Sequence, residues 1–271
     1  MAKVVFQGER GAFSEDAVIN FFGSADLSPC PSLTDVFEAV SRDTAEFGVV
    51  PVENSQAGSI NETYDLLLRH TLNIYGEIAL EVNHCLMALP GESLDSIKKV
   101  YSHPQALAQC AQFLVKLGVE LVPTYDTAGS AKLIKEKGLA NSAAVASRKA
   151  SEIYQMKVLA ENIQTIKGNY TKFFAISKMK ADYADRNKTS LVFATKNIPG
   201  ALYQCMGCFA KRDINLTKLE SRPSKDRPWA YIFYVDLEGH ADDEVCAQAL
   251  ADLEEKTSFL KILGSYPRNV E

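Results

Sequence analysis

The sequence predicts an α/β protein with two open-sheet lobes and a smaller C-terminal domain of ferredoxin-like βαββαβ order. Short apolar segments alternate with helical ones from Lys3 to Ser177, which is typical of open sheets covered by helices on both faces. The stretch 178–188 is polar and has few large apolar groups, so it indicates a linker. Beyond it the order of segments changes, which separates a second domain from the first.

The first lobe begins with a buried strand, a glycine-bearing turn and a helix. Apolar runs predict strands, and apolar residues at helical spacing, such as Val36, Phe37 and Val40, predict helices. Ser14 is the expected cap of the first helix. We expect strands at 3–6, 47–52 and 80–89, and helices at 14–22, 33–42 and 61–69.

The second lobe repeats this alternation, and the C-terminal domain begins a new pattern. We expect strands at 99–102, 120–123, 143–147 and 174–177, with helices at 104–117 and 128–137. After the linker we expect strand 190–195, helix 200–212, strands 215–221 and 229–237, helix 242–257 and strand 260–266. These segments predict one domain at 1–180 and another at 189–271.

Charge and cysteine content exclude several kinds of function. A formal net charge of -5 argues against nucleic acid as a partner, because phosphate binding requires a basic surface. No run reaches the roughly 18 apolar residues of a membrane helix, and no targeting segment precedes Val4, so we expect a cytoplasmic protein without membrane contact. The Cys205-x-x-Cys208 pair lacks a second pair of zinc ligands, so we expect buried thiols and no metal site.

Polar residues follow several predicted strands, at the edge where doubly wound sheets bind their ligands. They form the loops 53–59, 102–105 and 126–129, and the second of these contains His103. The alternative is that Asn, Ser and Gly occur there only because turns favour them. The chain has no G-x-S-x-G, Walker or G-x-G-x-x-G motif, which removes support for acyl transfer, nucleotide hydrolysis and dinucleotide binding. We therefore expect no cofactor.

One short segment combines an amide, a hydroxyl, a cation and aromatic rings. It is Asn169-Tyr170-Thr171-Lys172-Phe173, which follows Gly168 and precedes an apolar strand. This mixture suits a ligand that is an aromatic or cyclic carboxylate. The alternative is a strand entry whose polar groups face solvent.

Five segments together resemble the prephenate dehydratase family and the ACT regulatory module that its members carry. They are Gly48-Val49-Val50-Pro51-Val52-Glu53-Asn54-Ser55 with Gly58, Tyr101 to Cys110, Asn169-x-Thr171-Lys172-Phe173, Gly200-Ala201-Leu202 and Glu220-Ser221-Arg222-Pro223. They occur in the family's order and cover nearly the whole chain. The resemblance implies a catalytic domain of two α/β lobes, hinged like a periplasmic binding protein, with the active site in the cleft and an ACT domain after it.

The resemblance also implies the site residues. Thr171 matches a threonine regarded as essential in the family, and we expect Glu53 and Lys172 to complete the catalytic set. The family usually has arginine where this chain has Lys172, and lysine lacks the planar fork that grips a carboxylate. The expected substrate-binding residues are Asn54, Ser55, Gly58, Ser102, His103, Gln109, Thr127, Asn169 and Phe173.

The implied reaction converts prephenate to phenylpyruvate, water and carbon dioxide. Prephenate has a ring carboxylate opposite a doubly allylic hydroxyl, and losing both creates an aromatic ring. The protein must hold the pyruvyl carboxylate, leave the ring carboxylate poorly solvated and offer a hydrogen bond to the leaving hydroxyl. We expect Lys172 to hold the anion, Thr171 to donate that hydrogen bond and Glu53 to act as an acid if it is buried.

Regulation by L-phenylalanine follows from the resemblance of the C-terminal segments. The ligand is expected to bind where the Gly200 turn of one module meets strand 215–223 of another, so the chain is expected to form a homodimer through these modules, or a homotetramer. The expected residues are Gly200, Ala201, Leu202, Asn215, Leu216, Glu220, Ser221, Arg222 and Pro223. The alternative is that Glu220 and Arg222 only pair on the surface.

Two other functions remain open from the sequence. Arogenate dehydratase shares the fold and motifs, and its substrate has an amine in place of the ketone. A non-catalytic amino-acid sensor could also combine a two-lobed cleft with an ACT module. An assay for phenylpyruvate formation, repeated with arogenate, separates the three.

Overall fold

The computed structural model describes residues 1–224 and 231–269, and it divides into two compact units. Unit 1 comprises Met1–Thr63 and Ile78–Phe173, and unit 2 comprises Tyr64–Glu77 and Phe174–Glu271. This division differs from the linear domains 1–180 and 189–271, because the segment Tyr64–Glu77 belongs to the same compact unit as the C-terminal residues. In the described part of the chain, no helix has both the length and the apolarity to cross a membrane.

The first lobe contains a sheet with the strand order β2-β1-β3-β11-β5. Its elements are β1 (Lys3–Gln7), α1 (Phe13–Phe22), β2 (Asp26–Cys30), α2 (Leu33–Ser41), β3 (Phe47–Asn54), β4 (Gly58–Ser59), α3 (Asn61–Arg69), β5 (Asn73–Glu81) and β11 (Tyr170–Ser177). Strand β1 pairs in parallel with both β2 and β3. Strand β2 was not expected, because it is a partly exposed edge strand with Pro29 instead of an apolar run.

The second lobe contains a mixed sheet with the order β10-β6-β9-β7-β8. Its elements are β6 (Cys85–Ala88), a 3-10 helix (Leu94–Ser96), β7 (Lys99–Ser102), α4 (Pro104–Gln109), α5 (Ala111–Leu117), β8 (Glu120–Pro123), α6 (Thr127–Lys137), β9 (Ser142–Ala146), α7 (Arg148–Ile153) and β10 (Lys157–Ala160). Strands β6 and β9 are buried at every residue. Leu86 packs into one core and Met87 into another, which shows that both faces of this sheet are covered.

Two predicted elements of unit 1 are interrupted in the structure. The predicted strand 80–89 is two strands, because the residues between β5 and β6 pair with other segments: Val82 N donates to Asn169 O, and His84 N donates to Gln164 Oε1. The predicted helix 104–117 breaks at Cys110, which ends α4 and precedes α5. Helix α7 and strand β10 were not expected from the sequence.

Unit 2 contains the predicted βαββαβ order. Its elements are β12 (Asn187–Thr195), α8 (Ala201–Ala210), β13 (Leu216–Pro223), β14 (Tyr231–Glu238), α9 (Glu244–Lys256) and β15 (Thr257–Pro267). The antiparallel sheet has the order β13-β14-β12-β15, which is the ferredoxin-like arrangement. The predicted strand 229–237 begins at Trp229, which lies outside the described residues.

The predicted fold class is therefore confirmed: two α/β lobes and a ferredoxin-like domain. Cys205 and Cys208 both face the core of unit 2, where their side chains pack with Phe209 and Leu253. Burial raises the pKa of both thiols, which is consistent with a packing role.

Candidate active site

A cavity of about 460 Å³ lies in unit 1, at the carboxyl ends of parallel strands. Its lining includes Gln7 at the end of β1, Pro31 just after β2, Asn54 at the end of β3, His103 just after β7 and Tyr125 beyond β8. Both lobes of unit 1 contribute to it. This is the position at which open α/β sheets bind ligands.

Helix N-termini also surround the cavity. The first residue of α1, α2 and α6 and the residue directly before α3 and α4 belong to the lining: Phe13, Leu33, Thr127, Ile60 and His103 respectively. Each N-terminus presents backbone N–H groups and the positive end of the helix dipole. The backbone therefore makes this cavity attractive to anions.

The side chains of the lining add little positive charge of their own. Among the described lining residues there is no Lys or Arg, and the charged groups are the carboxylates of Glu62 and Asp126. Asp126 caps α6 by accepting from Ala128 N, and it also accepts from Glu9 N at 3.1 Å. Burial raises the pKa of Asp126, while these hydrogen bonds oppose the rise.

A chain of amide side chains connects the two lobes behind the cavity, and it begins at Asn54. The backbone N–H groups of Gln56 and Ala57 donate to Asn54 Oδ1 at 3.1 and 3.0 Å. This fixes the orientation of the amide, so that Asn54 Nδ2 faces Asn169 Oδ1 at 2.8 Å and Thr171 Oγ1 at 2.9 Å. Thr171 Oγ1 is therefore an acceptor from Asn54, and its own hydrogen remains available to a ligand.

The orientation of the Asn54 amide also sets the direction of the hydrogen bonds that lead to His84. Asn169 Oδ1 accepts from Asn54, so Asn169 Nδ2 donates to Gln109 Oε1 at 3.1 Å. Gln109 Oε1 lies 2.9 Å from His84 Nε2, and because an amide oxygen only accepts, His84 Nε2 must carry the hydrogen. His84 Nδ1 is then the unprotonated nitrogen of the neutral ring, and it is buried without a hydrogen-bond partner in the part of the chain that the structure describes.

Burial lowers the pKa of His84, and the hydrogen bond to Gln109 only partly opposes this effect. The residue is 2% exposed and lines the cavity. Its ring makes an edge contact with Phe13, with centroids 5.5 Å apart. The environment of His84 therefore favours its neutral form.

Six of the predicted site residues lie in the cavity lining: Asn54, His103, Gln109, Thr127, Thr171 and Phe173. Asn169 joins them through its hydrogen bonds to Asn54 and Gln109, although it is not part of the lining. The structure thus brings together residues from four distant segments of the chain. Whether they bind substrate stays a prediction.

The structure does not place Lys172 and Glu53 with these residues. Lys172 lies between Thr171 and Phe173 on β11, and both of those neighbours line the cavity. Successive side chains on a strand point to opposite faces of the sheet, so Lys172 faces away from the cavity. Glu53 also lies outside the described lining, although Pro51, two residues before it on β3, and Asn54, directly after it, both belong to that lining. Lys172 is not among the described lining residues, and whether it contacts the same substrate as Thr171 stays a prediction.

Three other predicted binding residues have structural contacts instead of a place in the lining. Ser55 Oγ accepts from Tyr170 N at 2.9 Å and so joins β3 to β11. Gly58 has a positive φ of 80° and forms the return of the β3–β4 hairpin opposite Asn54. Ser102 is fully buried, and its hydroxyl donates to Val145 O at 2.6 Å.

Sequence reasoning missed several lining residues, among them Ser14, Glu62 and His84, and it included Gln105 and Asp126 only as members of the candidate loops 102–105 and 126–129. Ser14 and Asp126 carried a usable signal, because each is at the start of a helix that follows a strand. His84 carried none, because it was assigned to the interior of a single strand 80–89.

The predicted regulatory residues lie in unit 2. Gly200 is the N-cap of α8 with a φ of 78°, and Leu202 packs against the core of the domain. A register shift in β13 places Glu220 and Arg222 beside Tyr234 and Ile232 of β14. Arg222 forms an ion pair with Asp65 at 3.2 Å, and Glu220 pairs with Lys218 at 3.0 Å.

Comparison with known proteins identifies the family. The family model described as prephenate dehydratase matches residues 4–181. An Arabidopsis thaliana protein named arogenate dehydratase/prephenate dehydratase 2 is 44% identical over 98% of this chain and 72% of its own length. The solved prephenate dehydratase from Arthrobacter aurescens, in complex with L-Phe, has 31% identity and a TM-score of 0.89 over 98% of this chain and 89% of that one.

A second solved structure, described as the quorum-quenching acylase GqqA, also has a TM-score of 0.89, with 33% identity over 98% of both chains. The family model covers well over half of the chain, and the Arabidopsis relative exceeds 30% identity over most of its length. The chain therefore belongs to the prephenate dehydratase family.

Proposed function

We propose that this protein catalyses the decarboxylating dehydration of prephenate to phenylpyruvate, water and carbon dioxide, in the biosynthesis of L-phenylalanine. The family membership supports the reaction, and the cavity in unit 1 is the proposed active site. We keep residues 1–180 as the proposed catalytic domain and 189–271 as the proposed regulatory domain. No cofactor is invoked, because aromatisation of the ring drives the reaction.

The observation that carries this proposal is the orientation of the Thr171 hydroxyl. Thr171 lines the cavity, and its oxygen already accepts a hydrogen bond from Asn54 Nδ2. Its hydrogen is thus directed to another acceptor, and the leaving hydroxyl of prephenate is such an acceptor. A positioned donor stabilises the negative charge on the departing oxygen, which leaves as hydroxide and takes its proton from solvent to become water.

The charge distribution of the cavity supports loss of the ring carboxylate. Helix N-termini attract the dianion as a whole, whereas no Lys or Arg in the described lining is available to pair strongly with one carboxylate. A carboxylate that is poorly solvated and weakly paired disperses its charge as carbon dioxide leaves.

A direct assay tests the proposal. Purified protein is incubated with prephenate, and phenylpyruvate is measured by its absorbance in alkali. Formation of phenylpyruvate well above the spontaneous rate supports the proposal. Absence of turnover would instead support the non-catalytic amino-acid sensor.

Arogenate is a second candidate substrate, because the lining contains the carboxylates of Glu62 and Asp126. Arogenate carries an ammonium group where prephenate has a ketone, and a carboxylate near that group would favour it. The Arabidopsis relative is named for both substrates. Measuring kcat/KM for both compounds ranks them, and a ratio that shifts towards prephenate in Glu62→Gln would assign this preference to Glu62.

The likeness to GqqA raises amide hydrolysis as another activity. An acylase of the serine or cysteine type needs a nucleophile activated by a base. His84, a histidine of the lining, has its Nε2 paired with the amide of Gln109 instead of a hydroxyl or thiol. Incubation with N-acylated amino compounds, followed by detection of the free amine, tests this activity directly.

We further propose that L-phenylalanine inhibits the enzyme through unit 2. The support is the likeness to a family member solved in complex with L-Phe and the ferredoxin-like order of unit 2. The proposed site combines the Gly200, Ala201 and Leu202 turn with residues Asn215, Leu216 and Glu220 to Pro223 of a second copy. Light scattering, with and without L-phenylalanine, measures whether the chain forms the proposed homodimer or homotetramer.

A further inference from the structure

We propose that the N-terminus of α1 and His84 form a carboxylate-binding subsite, and that His84 takes up a proton when the carboxylate binds. The inference rests on the proposed function, which identifies the ligand. The carboxylate in question is that of the pyruvyl side chain, which prephenate and its product phenylpyruvate share. In this proposal, protonated His84 supplies the positive charge that the sequence analysis had assigned to Lys172.

The first observation is that α1 begins without a side-chain cap. Its N-cap is Ala12, whereas α2 and α6 are capped by the side chains of Ser32 and Asp126. In residues 1–224 and 231–269, no acceptor is paired with the backbone N–H of Phe13 or Ser14. Two N–H donors at the positive end of a ten-residue helix therefore remain available in the cavity lining.

The second observation is the side chain of Ser14. The residue is only 6% exposed and lines the cavity. Within the described residues its hydroxyl has no hydrogen-bond partner. The oxygen is also not one of the buried atoms that lack both solvent access and a partner. A buried hydroxyl usually finds a protein partner, so this one is free to donate to a ligand.

The third observation is the unpartnered nitrogen of His84. Its ring contacts Phe13, the first residue of α1, and its buried Nδ1 atom has no hydrogen-bond partner among the described residues. A buried acceptor without a donor costs about 1–3 kcal/mol, so a structure that retains one usually gains something from it. The contact with Phe13 places the ring next to the start of α1, where the negative charge of a bound carboxylate would favour a proton on Nδ1.

The acidic side chains of α1 next to the subsite are paired with cations. The Glu15 carboxylate on α1 accepts from Gly11 N and pairs with Arg10 and Lys149, and Asp16 pairs with Lys149 as well. The other titratable groups of the lining are Glu62, His103, Tyr125 and Asp126. His103 Nδ1 already accepts a hydrogen bond from Gln105 N at the start of α4. Protonation of His84 Nδ1 breaks no hydrogen bond.

The proton balance follows from the environment of His84. Desolvation lowers the pKa of His84 and favours the neutral ring. A carboxylate placed against the ring raises the pKa, because an opposite charge favours the protonated form. Between these two pKa values, binding of one anion takes up one proton from solvent onto Nδ1. Nε2 keeps its hydrogen and its bond to Gln109.

Calorimetry with phenylpyruvate tests the subsite, because this compound keeps the carboxylate and cannot react further. Titration near neutral pH in two buffers of different ionisation enthalpy gives the number of protons taken up per bound ligand. We expect up to one proton for the unmodified chain and none for His84→Gln, whose amide can still donate to Gln109. Ser14→Ala should weaken binding about tenfold and leave the proton uptake intact.

The matched control is His240→Gln, in unit 2, where the ring nitrogen accepts from Asp242 N. It should retain the full proton uptake, and circular dichroism of every variant checks folding. Equal proton uptake in His84→Gln and the unmodified chain would overturn the subsite. Failure of the unmodified chain to convert prephenate, together with His84-dependent proton uptake, would instead overturn the proposed function and leave the carboxylate subsite standing.

Discussion

Asn54 Nδ2 donates to Thr171 Oγ1 at 2.9 Å, across 117 positions of sequence. The backbone N–H groups of Gln56 and Ala57 set the direction of this bond by occupying Asn54 Oδ1. The tight turn after β3 thereby determines which way the Thr171 hydrogen points. A local feature of the backbone thus controls a polar group contributed by a remote strand.

Removal of the Thr171 hydroxyl tests its proposed role as donor. Thr171→Val keeps the shape of the side chain, and we expect kcat for prephenate to fall about 10²–10³-fold, the loss typical of a transition-state hydrogen bond. Thr171→Ser keeps the hydroxyl and should stay within about tenfold of the unmodified protein. Equal rates for Thr171→Val and the unmodified protein would exclude a donor at this position.

Reversal of the hydrogen-bond direction tests the role of Asn54. Asn54→Asp keeps the size of the side chain, but an ionised carboxylate cannot donate to Thr171 and would accept its hydrogen instead. We expect kcat to fall about 10²-fold, with little further loss in the double variant Asn54→Asp/Thr171→Val. Fully additive losses in this double-mutant cycle would show that the two residues act independently.

Lys172 provides a test of strand geometry. Its side chain faces away from the cavity, so we expect Lys172→Gln to keep kcat/KM within about threefold. The neighbouring variant Phe173→Ala, on the cavity side of the same strand, should reduce it much more. A loss for Lys172→Gln as large as for Thr171→Val would mean that β11 rearranges when substrate binds.

Gly11 is a site where a single methyl group should destabilise unit 1. Its φ is 84°, and an added Cβ would lie 2.7 Å from Ala150 Cα, a backbone atom that cannot move cheaply. We expect Gly11→Ala to lower the free energy of unfolding by about 3 kcal/mol. Gly138→Ala has a similar φ of 60° with nothing within 4 Å, so it should lose only about 1 kcal/mol in the same urea titration.

The buried ion pair between Lys188 and Glu77 should show strong coupling in unit 2. The side chains are 7% and 4% exposed, and Lys188 Nζ lies 2.7 Å from Glu77 Oε1. Lys188→Met leaves an unpaired buried carboxylate and should cost about 3–5 kcal/mol of stability. The double variant Lys188→Met/Glu77→Leu should recover much of this loss in thermal unfolding, and no recovery would show that the charges do not interact.

His84 should also make the protein sensitive to acid. Its folded-state pKa lies below the unfolded value, so the unfolded chain binds more protons between the two values. Stability should therefore fall as the pH drops through about 6.5, until the folded state also protonates. His84→Gln should remove this part of the dependence, measured as the urea midpoint against pH. An unchanged slope would mean that His84 is not held neutral.

The sequence predicted most of the fold because apolar periodicity is a local property. Helix 61–69 and strands 99–102 and 120–123 match their predicted bounds, since each is a short apolar or amphipathic segment with clear ends. The prediction of a single strand at 80–89 was wrong, because this apolar run contains a break between β5 and β6. The backbone of Val82 and His84 bonds to residues some 80 positions away, and no local pattern reports such a partner.

The sequence by itself determined the fold class, the family resemblance and the loops that reach the cavity. Only the tertiary structure decided which side chains face that cavity, because adjacent residues on a strand point to opposite faces and the register of β11 selects Thr171 over Lys172. It also placed five helix N-termini and His84 around one space. The positive field there comes from backbone geometry, which leaves no signature in residue type.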